Sequence, residues 1–204
     1  MTDGSTTIKR NDVLKYIKKA SYEDMVKILL EVLSWFKLEN LGNPFNYNRG
    51  FEFIQAHVLG FKLEPVGGGS DGVSDDGITA EFKATEWKGL TKRGKEKSHS
   101  FTYNGTTKVQ TIEEQEKVCY KKVMRDDYHY WTIVDYEAGN FLKTLKVKNT
   151  DVWSLIWGKW KSSFYNSATN ADGRIGGCIS TNELTKHNIK YEIISHQDSG
   201  GVLM

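Results

Sequence analysis

Up to Gly60 the apolar residues of this chain recur at helical spacing, and beyond it they alternate. That change of period constrains the fold most, because a 3.6-residue stripe and a two-residue alternation cannot stand in for one another. Residues 10–37 read as helices. RNDVLKYIKKAS has Val13, Leu14 and Ile17 at helical spacing, and SYEDMVKILLEVLSWFK follows with Ser21 as N-cap and Asp24 three residues on. After a turn at LGNPFN, the segment NRGFEFIQAHVLG carries the stripe Phe51, Ile54 and Val58, with Gly60 as its C′ stop.

The extended half begins with FKLEPV and a glycine run, then GVSDDGITAEFKAT reads as a hairpin. Asp75-Asp76-Gly77 is the turn, because Gly77 can take the positive φ that a three-residue loop requires. That loop sets a register: Ser74 faces Ile78, Val73 faces Thr79, Gly72 faces Ala80 and Asp71 faces Glu81. In the second strand Ile78, Ala80, Phe82 and Ala84 share one side, while Thr79, Glu81, Lys83 and Thr85 share the other.

Downstream, residues 86–108 read as a long loop or irregular insertion. TIEEQEKVCYKKVMRD reads as a helix opened by a Thr111–Glu114 capping box. HYWTIVDYE and NFLKTLKVK read as strands turned at Ala138-Gly139-Asn140. NTDVWSLIWGKWKSSFYN is an amphipathic helix with Val152, Leu155, Ile156 and Trp160 inward, and Trp131, Trp153 and Trp157 also read as core. A glycine-containing loop, ADGRIGG, and the short extended pieces ISTNEL and IKYEII complete the chain. The expected outcome is one α/β (α+β) domain over residues 1–204, a small mixed β-sheet flanked by helices. Its helical part covers about 10–60 and its hairpin about 62–85.

Gly67, Gly69 and Gly72 satisfy G-x-G-x-x-G, but a dinucleotide site needs a helix directly after the glycines, and a strand follows here. The carboxylates carry more. Opposed residues have Cβ atoms about 5 Å apart, and like charges there are destabilising unless neutralised. A divalent cation between Asp71 and Glu81 answers that. An all-oxygen donor set points to Mg²⁺, which takes one or two carboxylates plus water and substrate phosphate oxygens. Lys83 lies on the same face. An ordinary lysine, pKa about 10.4, is neutral about one time in 2,500 at pH 7. Lys83 therefore reads as an orienter and transition-state stabiliser, not a base. The glycines read as slack that lets a phosphate approach.

Asp71 and Glu81-Phe82-Lys83 on a hairpin, after a helix bearing Glu52, resemble the PD-(D/E)xK nuclease superfamily, and within it a type II restriction endonuclease. The resemblance implies a restriction-endonuclease-like core, Mg²⁺-dependent cleavage of double-stranded DNA, and commonly a homodimer. It makes Asp71 the first acidic ligand, Glu81 the second, Lys83 the motif lysine and Glu52 the extra helical glutamate near the metal; Gln55 could share its face. Ser70 stands where the motif has proline, and Asp75 and Asp76 compete with Asp71 as first ligand. A structure-specific nuclease acting on junctions, and a non-catalytic DNA-binding domain, are the alternative functions.

Charge distribution fits a nucleic-acid partner. Residues 83–110 hold seven basic side chains against Glu86 and Glu96, a local +5 that leaves −3 on the rest of a +2 chain. Residues 143–161 add five lysines against Asp151. Two basic segments on a near-neutral chain suggest a positive face. Lys92, Arg93, Lys95 and Lys97 are expected on phosphates, with Ser98, His99, Tyr103 and Asn104 as base-contact candidates. Arg174, Ser180, Thr181 and Asn182 form a second candidate group, although Ser180 or Thr181 could instead cap a short helix. Two cysteines without CxxC, no apolar leader and no long apolar run predict a cytoplasmic, non-membrane protein.

Overall fold

A computed structural model of the chain describes residues 10–45, 49–65, 67, 69–135, 140–166 and 173–196. Asn46 of the predicted turn LGNPFN, Asn48 at the start of the predicted third helix, the turn residues Ala138 and Gly139, and Ala171-Asp172 of the glycine loop fall outside them. The elements in order are α1 (Arg10–Ile17), α2 (Tyr22–Leu38), α3 (Arg49–Leu59), β1 (Phe61–Leu63), β2 (Gly72–Ser74), β3 (Thr79–Glu86) and β4 (Ser100–Thr107). There follow α4 (Ile112–Val123), β5 (Tyr128–Asp135), β6 (Asn140–Lys148), α5 (Asn149–Asn166), β7 (Arg174–Ser180), α6 (Thr181–Lys186) and β8 (Tyr191–Ser195). The protein is a mixed α/β structure, as its two periods predict.

Helix starts follow the capping chemistry. Ser21 and Thr111 each accept the N–H of the residue three on, Asp24 and Glu114, whose carboxylates return to the cap backbone. Gly60 ends α3 with φ +76°, a conformation costly for any side chain with a Cβ.

Six strands form one sheet in the order β1-β2-β3-β5-β6-β8, antiparallel except for the parallel pair β3–β5. β5 is buried on both faces, which suits the near-continuous apolar run YWTIV. On one face α3 packs through Ala56 onto Ala80, Phe82 and Tyr130. On the other, Trp131, Ile133, Leu145 and Val147 meet α4, α5 and a two-stranded antiparallel sheet made by β4 and β7. Val152, Leu155, Ile156 and Trp160 all face inward as their spacing predicts, whereas Trp153 and Trp157 are only partly buried at the cluster edge.

Two expectations are corrected. The second half of the supposed loop 86–108 is strand β4, whose Phe101 and Tyr103 are buried while Thr102 and Asn104 face out. The glycine loop is largely β7, and Thr181 opens helix α6 where ISTNEL reads as extended. Both strands are stabilised by each other across 67 to 80 residues, from Thr107 opposite Arg174 to Ser100 opposite Ser180, so neither has a local turn to announce it. At the helical end, α2 buries only Phe36 and leaves Leu29, Leu30, Trp35 and Leu38 exposed. No helix among the described residues is long and apolar enough to cross a membrane.

Candidate active site

The hairpin register is the predicted one from Ser74 to Gly72. Gly72 pairs with Ala80 and Val73 with Thr79, and the Ser74 N–H donates to the Ile78 carbonyl at 2.9 Å across a loop in which Gly77 has φ +83°. One step further the Asp71 N–H donates to the Ala80 carbonyl at 2.9 Å, and the Phe82 N–H donates to Asp71 Oδ2 at 2.7 Å. Asp71 and Glu81 thus sit together at the hairpin's open end, and both line a cavity of about 280 Å³ shared with Glu52, Gln55, Lys83 and Lys122. Asp75 and Asp76 do not line it. Asp75 pairs with Lys62 at 2.7 Å on the surface, and Asp76 accepts the Ser74 hydroxyl.

Three cations surround this acidic group. Lys83 Nζ donates to the Glu81 carboxylate and, at 3.1 Å, to the Phe82 carbonyl. Arg125, in the turn after α4, donates to Glu81 at 2.8 Å and to Asp126 at 2.8 Å. Glu52 accepts from Arg49 at 3.0 Å, and Arg49 is itself fixed by the Leu41 carbonyl at 2.7 Å and by that of Glu64. The α3 residue Gln55 is fully buried and donates to the Lys83 carbonyl at 3.1 Å and to Thr132 Oγ1 at 2.8 Å, which ties the helix to β3 and β5.

The charges are unevenly balanced. Burial, the Glu81 carboxylate and, more weakly, Glu52 push Asp71 up to about 7, against the pull of Lys83 and the Phe82 N–H. Burial also opposes ionisation of Glu81, but Lys83, His129 and Arg125 outweigh it and hold Glu81 down to about 2. Burial would neutralise Lys83, yet the carboxylates of Glu81 and Asp71 raise it, so it is an ammonium at neutral pH. That agrees with an orienting role and leaves proton abstraction to another group.

These residues fit a hard divalent cation by the chemistry of the donor set. Asp71 and Glu81 offer oxygen only, and Asp71 is short of positive charge while Glu81 already has two cations. Among the described residues no three His, Cys, Asp or Glu side chains converge to form an all-protein cage. Mg²⁺ does not need one, since it keeps most of its shell as water.

Neighbours that the sequence reading missed arrive through the parallel pairing of β3 with β5. It sets Glu81 opposite His129 and Lys83 opposite Trp131. Trp131 Nε1 donates to the Tyr103 hydroxyl at 2.6 Å, which leaves the Tyr103 proton for His129 Nδ1 at 2.8 Å. By that network the neutral imidazole carries its proton on Nε2. Burial pushes His129 down to about 4, so it is neutral at pH 7. Only a pairing across 48 residues reveals it. Arg125 and Asp126 follow a helix the sequence does show, but nothing local marks their approach to Glu81.

The nucleic-acid candidates divide. Lys92, Arg93, Lys95 and Lys97 are exposed around a small turn closed by the Leu90–Glu96 bridge, with no carboxylate at ion-pair distance among the described residues. Asn104 is exposed at the cavity edge, and Arg174 is exposed at the start of β7. β4 and β7 also bring the two candidate groups together: Ser98 Oγ lies 3.3 Å from Thr181 Oγ1 and accepts the exposed Asn182 N–H at 3.4 Å. Four base-contact candidates are corrected. His99 is buried, its Nε2 accepting the Lys88 N–H at 3.2 Å. Tyr103 is buried in the Trp131–His129 chain. Ser180 is the N-cap of α6, bonded to Glu183, and Thr181 Oγ1 is occupied by the His99 N–H at 3.2 Å. The glycine reading also changes at one position. A Cβ on Gly72 would lie 2.8 Å from the Phe82 ring, so that glycine makes room for the core and not for a ligand.

No protein family matches this chain in a search of family profiles, and no curated protein matches it in sequence.

Proposed function

We propose that the protein is a Mg²⁺-dependent endonuclease that hydrolyses phosphodiester bonds of double-stranded DNA in the manner of a type II restriction enzyme. The observation that carries this reading is the pair of carboxylates, Asp71 and Glu81, lining one cavity close enough to repel, with Lys83 bonded to Glu81 beside them. Bound between those carboxylates, Mg²⁺ would supply Lewis acidity at the phosphate and acidify a water. Lys83, cationic and fixed by Glu81 and the Phe82 carbonyl, orients the nucleophile and offsets charge that develops on the phosphorus oxygens. Arg125 holds Glu81 in place, and Gln55 holds the backbone of Lys83.

The exposed cations Lys92, Arg93, Lys95 and Lys97 support a duplex partner, whose phosphates they would neutralise. Asn104, Ser98 and Asn182 are the remaining candidates for base contact. Cleaving both strands calls for two such sites, which a homodimer supplies, and an intracellular, cytoplasmic setting suits a Mg²⁺ enzyme acting on DNA.

The test is digestion of a long DNA with Mg²⁺ or with EDTA, followed by sequencing of the fragment ends. Discrete bands with Mg²⁺ alone, lost in Asp71→Ala, Glu81→Ala and Lys83→Ala, are expected. Cleavage confined to four-way junctions or mismatched duplexes would shift the reading to a structure-specific nuclease. Intact DNA under every condition would refute the enzyme reading.

A further inference from the structure

Among the described residues, Lys83 is one of two lysines at the wall of the catalytic cavity, and it has Glu81 as carboxylate partner. The nearby arginines are also paired, Arg125 with Glu81 and Asp126 and Arg49 with Glu52. Lys122, in the last turn of α4, also lines the cavity. No carboxylate lies within ion-pair distance of it among the described residues. Its Nζ donates instead to two backbone carbonyls of β4, those of Asn104 at 2.8 Å and Gly105 at 2.9 Å. An ammonium has three protons, so one remains for another acceptor.

The strand is built to hold it there. β4 slips register against β7 between Asn104 and Thr107, a bulge that re-aims the backbone locally. A Cβ at Gly105 would lie 2.7 Å from both the Ile175 side chain and the Ile175 carbonyl, so only glycine fits this crossing. Two carbonyl dipoles fix the position of the ammonium without cancelling its charge. Burial lowers the Lys122 pKa, and the nearby Lys83 and Arg125 add to that, while Glu81 opposes it. A cation in such surroundings gains from an anion.

We propose that Lys122 is a phosphate-binding residue of this site, its ammonium held by the Asn104 and Gly105 carbonyls so that it takes a non-bridging oxygen of a nucleic-acid phosphodiester entering the cavity. The inference rests on the nuclease reading for the identity of its ligand. It makes Lys122 a substrate contact supplied by α4 and not by the hairpin that carries Lys83.

The test is binding of a labelled DNA duplex in Ca²⁺, which allows carboxylate and phosphate contacts to be scored by fluorescence anisotropy apart from cleavage. Affinity is followed between about 50 and 200 mM salt, over which one lost phosphate contact flattens the log–log slope by about 0.9. Lys122→Gln and Lys122→Met should therefore lose about 3.5-fold less affinity across that range than the wild type. Lys122→Arg, which keeps the charge, should restore the wild-type slope. Lys121→Gln removes the same charge from the exposed side of α4 and should leave the slope unchanged. Two neutral variants are measured so that a folding defect in one does not decide the result. A wild-type slope in both neutral variants, or equal flattening in Lys121→Gln, overturns the proposal. Wild-type protein that binds with these slopes but does not cleave in Mg²⁺ would refute the hydrolase reading and leave Lys122 as a phosphate contact. Absence of DNA binding by the wild type overturns both.

Discussion

Replacing Asp71 by Asn should stabilise the cation-free protein, increasingly so as pH rises. Asp71 is held at about 7 in the fold against an ordinary 3.8. A carboxyl raised in this way binds its proton more tightly folded than unfolded, so stability falls as pH climbs from about 4 to about 7 and is level above that. At about 1.4 kcal/mol per pH unit, ionisation costs the fold up to about 4 kcal/mol at pH 8 and about 1.5 kcal/mol at pH 5. Asn is nearly isosteric, cannot ionise, and its Oδ1 still accepts the Phe82 N–H. The advantage of Asp71→Asn should therefore grow by about 2–3 kcal/mol between pH 5 and pH 8, measured by urea unfolding in EDTA. Glu81 does not confuse the window, because its lowered value of about 2 contributes stability that is full above 4.5 and lost only below that. Mg²⁺ at about 100 times its dissociation constant should return about 2.7 kcal/mol to the wild type and little to the variant. If the two proteins track each other within about 0.5 kcal/mol from pH 5 to pH 8, burial and the Glu81 charge do not raise Asp71 as described.

Three further outcomes can be read separately. Lys83→Met should lower single-turnover cleavage at least about 100-fold, the scale of losing one fixed charge-stabilising donor, with DNA affinity little changed; cleavage within a few-fold of wild type would remove Lys83 from the chemistry. Tyr103→Phe should destabilise by about 1–3 kcal/mol, because Trp131 Nε1 and His129 Nδ1 lose their shared partner, and should leave the pattern of cut sites unchanged. A changed cleavage pattern in a stable Tyr103→Phe protein would restore Tyr103 as a base contact. Gly72→Ala should cost about 1–3 kcal/mol in thermal unfolding by driving a methyl into the Phe82 ring, and a neutral result would mean β2 shifts freely.

What could be read from the sequence was what the chain decides locally. The turn Asp75-Asp76-Gly77 needs one positive φ and the capping boxes need a hydroxyl and a carboxylate three residues apart, so the hairpin register and the starts of α2 and α4 follow from adjacent residues. β4 and β7 depend on each other across the chain. FTYN does alternate, but four residues beside a glycine-bearing bulge carry too little pattern to outweigh the polar run before them. The same distance hides Arg125, Asp126 and His129, which reach Glu81 only once β5 lies parallel to β3. His99 and Tyr103 resemble base readers in the sequence for a related reason. Polar heads on a basic segment look like readers until the strand alternation that buries them is known.

The hairpin contains its own comparison for deciding whether its acidic residues are only a turn. Asp75 and Asp76 behave as turn residues do. Asp75 is exposed, its carboxyl lowered by Lys62, and Asp76 bonds to the Ser74 hydroxyl two residues away. Asp71 behaves in the opposite way, lying where burial and a facing glutamate make its charged form costly. Gln55, Arg49 and Arg125 then spend hydrogen bonds on fixing the surrounding groups instead of relieving it. A sequence selected for stability alone would place a neutral side chain at position 71, since Asn preserves the backbone hydrogen bond and removes the repulsion. Retaining a destabilising carboxylate in a cavity is the expected signature of a site kept for what it binds, which is the ground for proposing a cation beside Asp71 and Glu81.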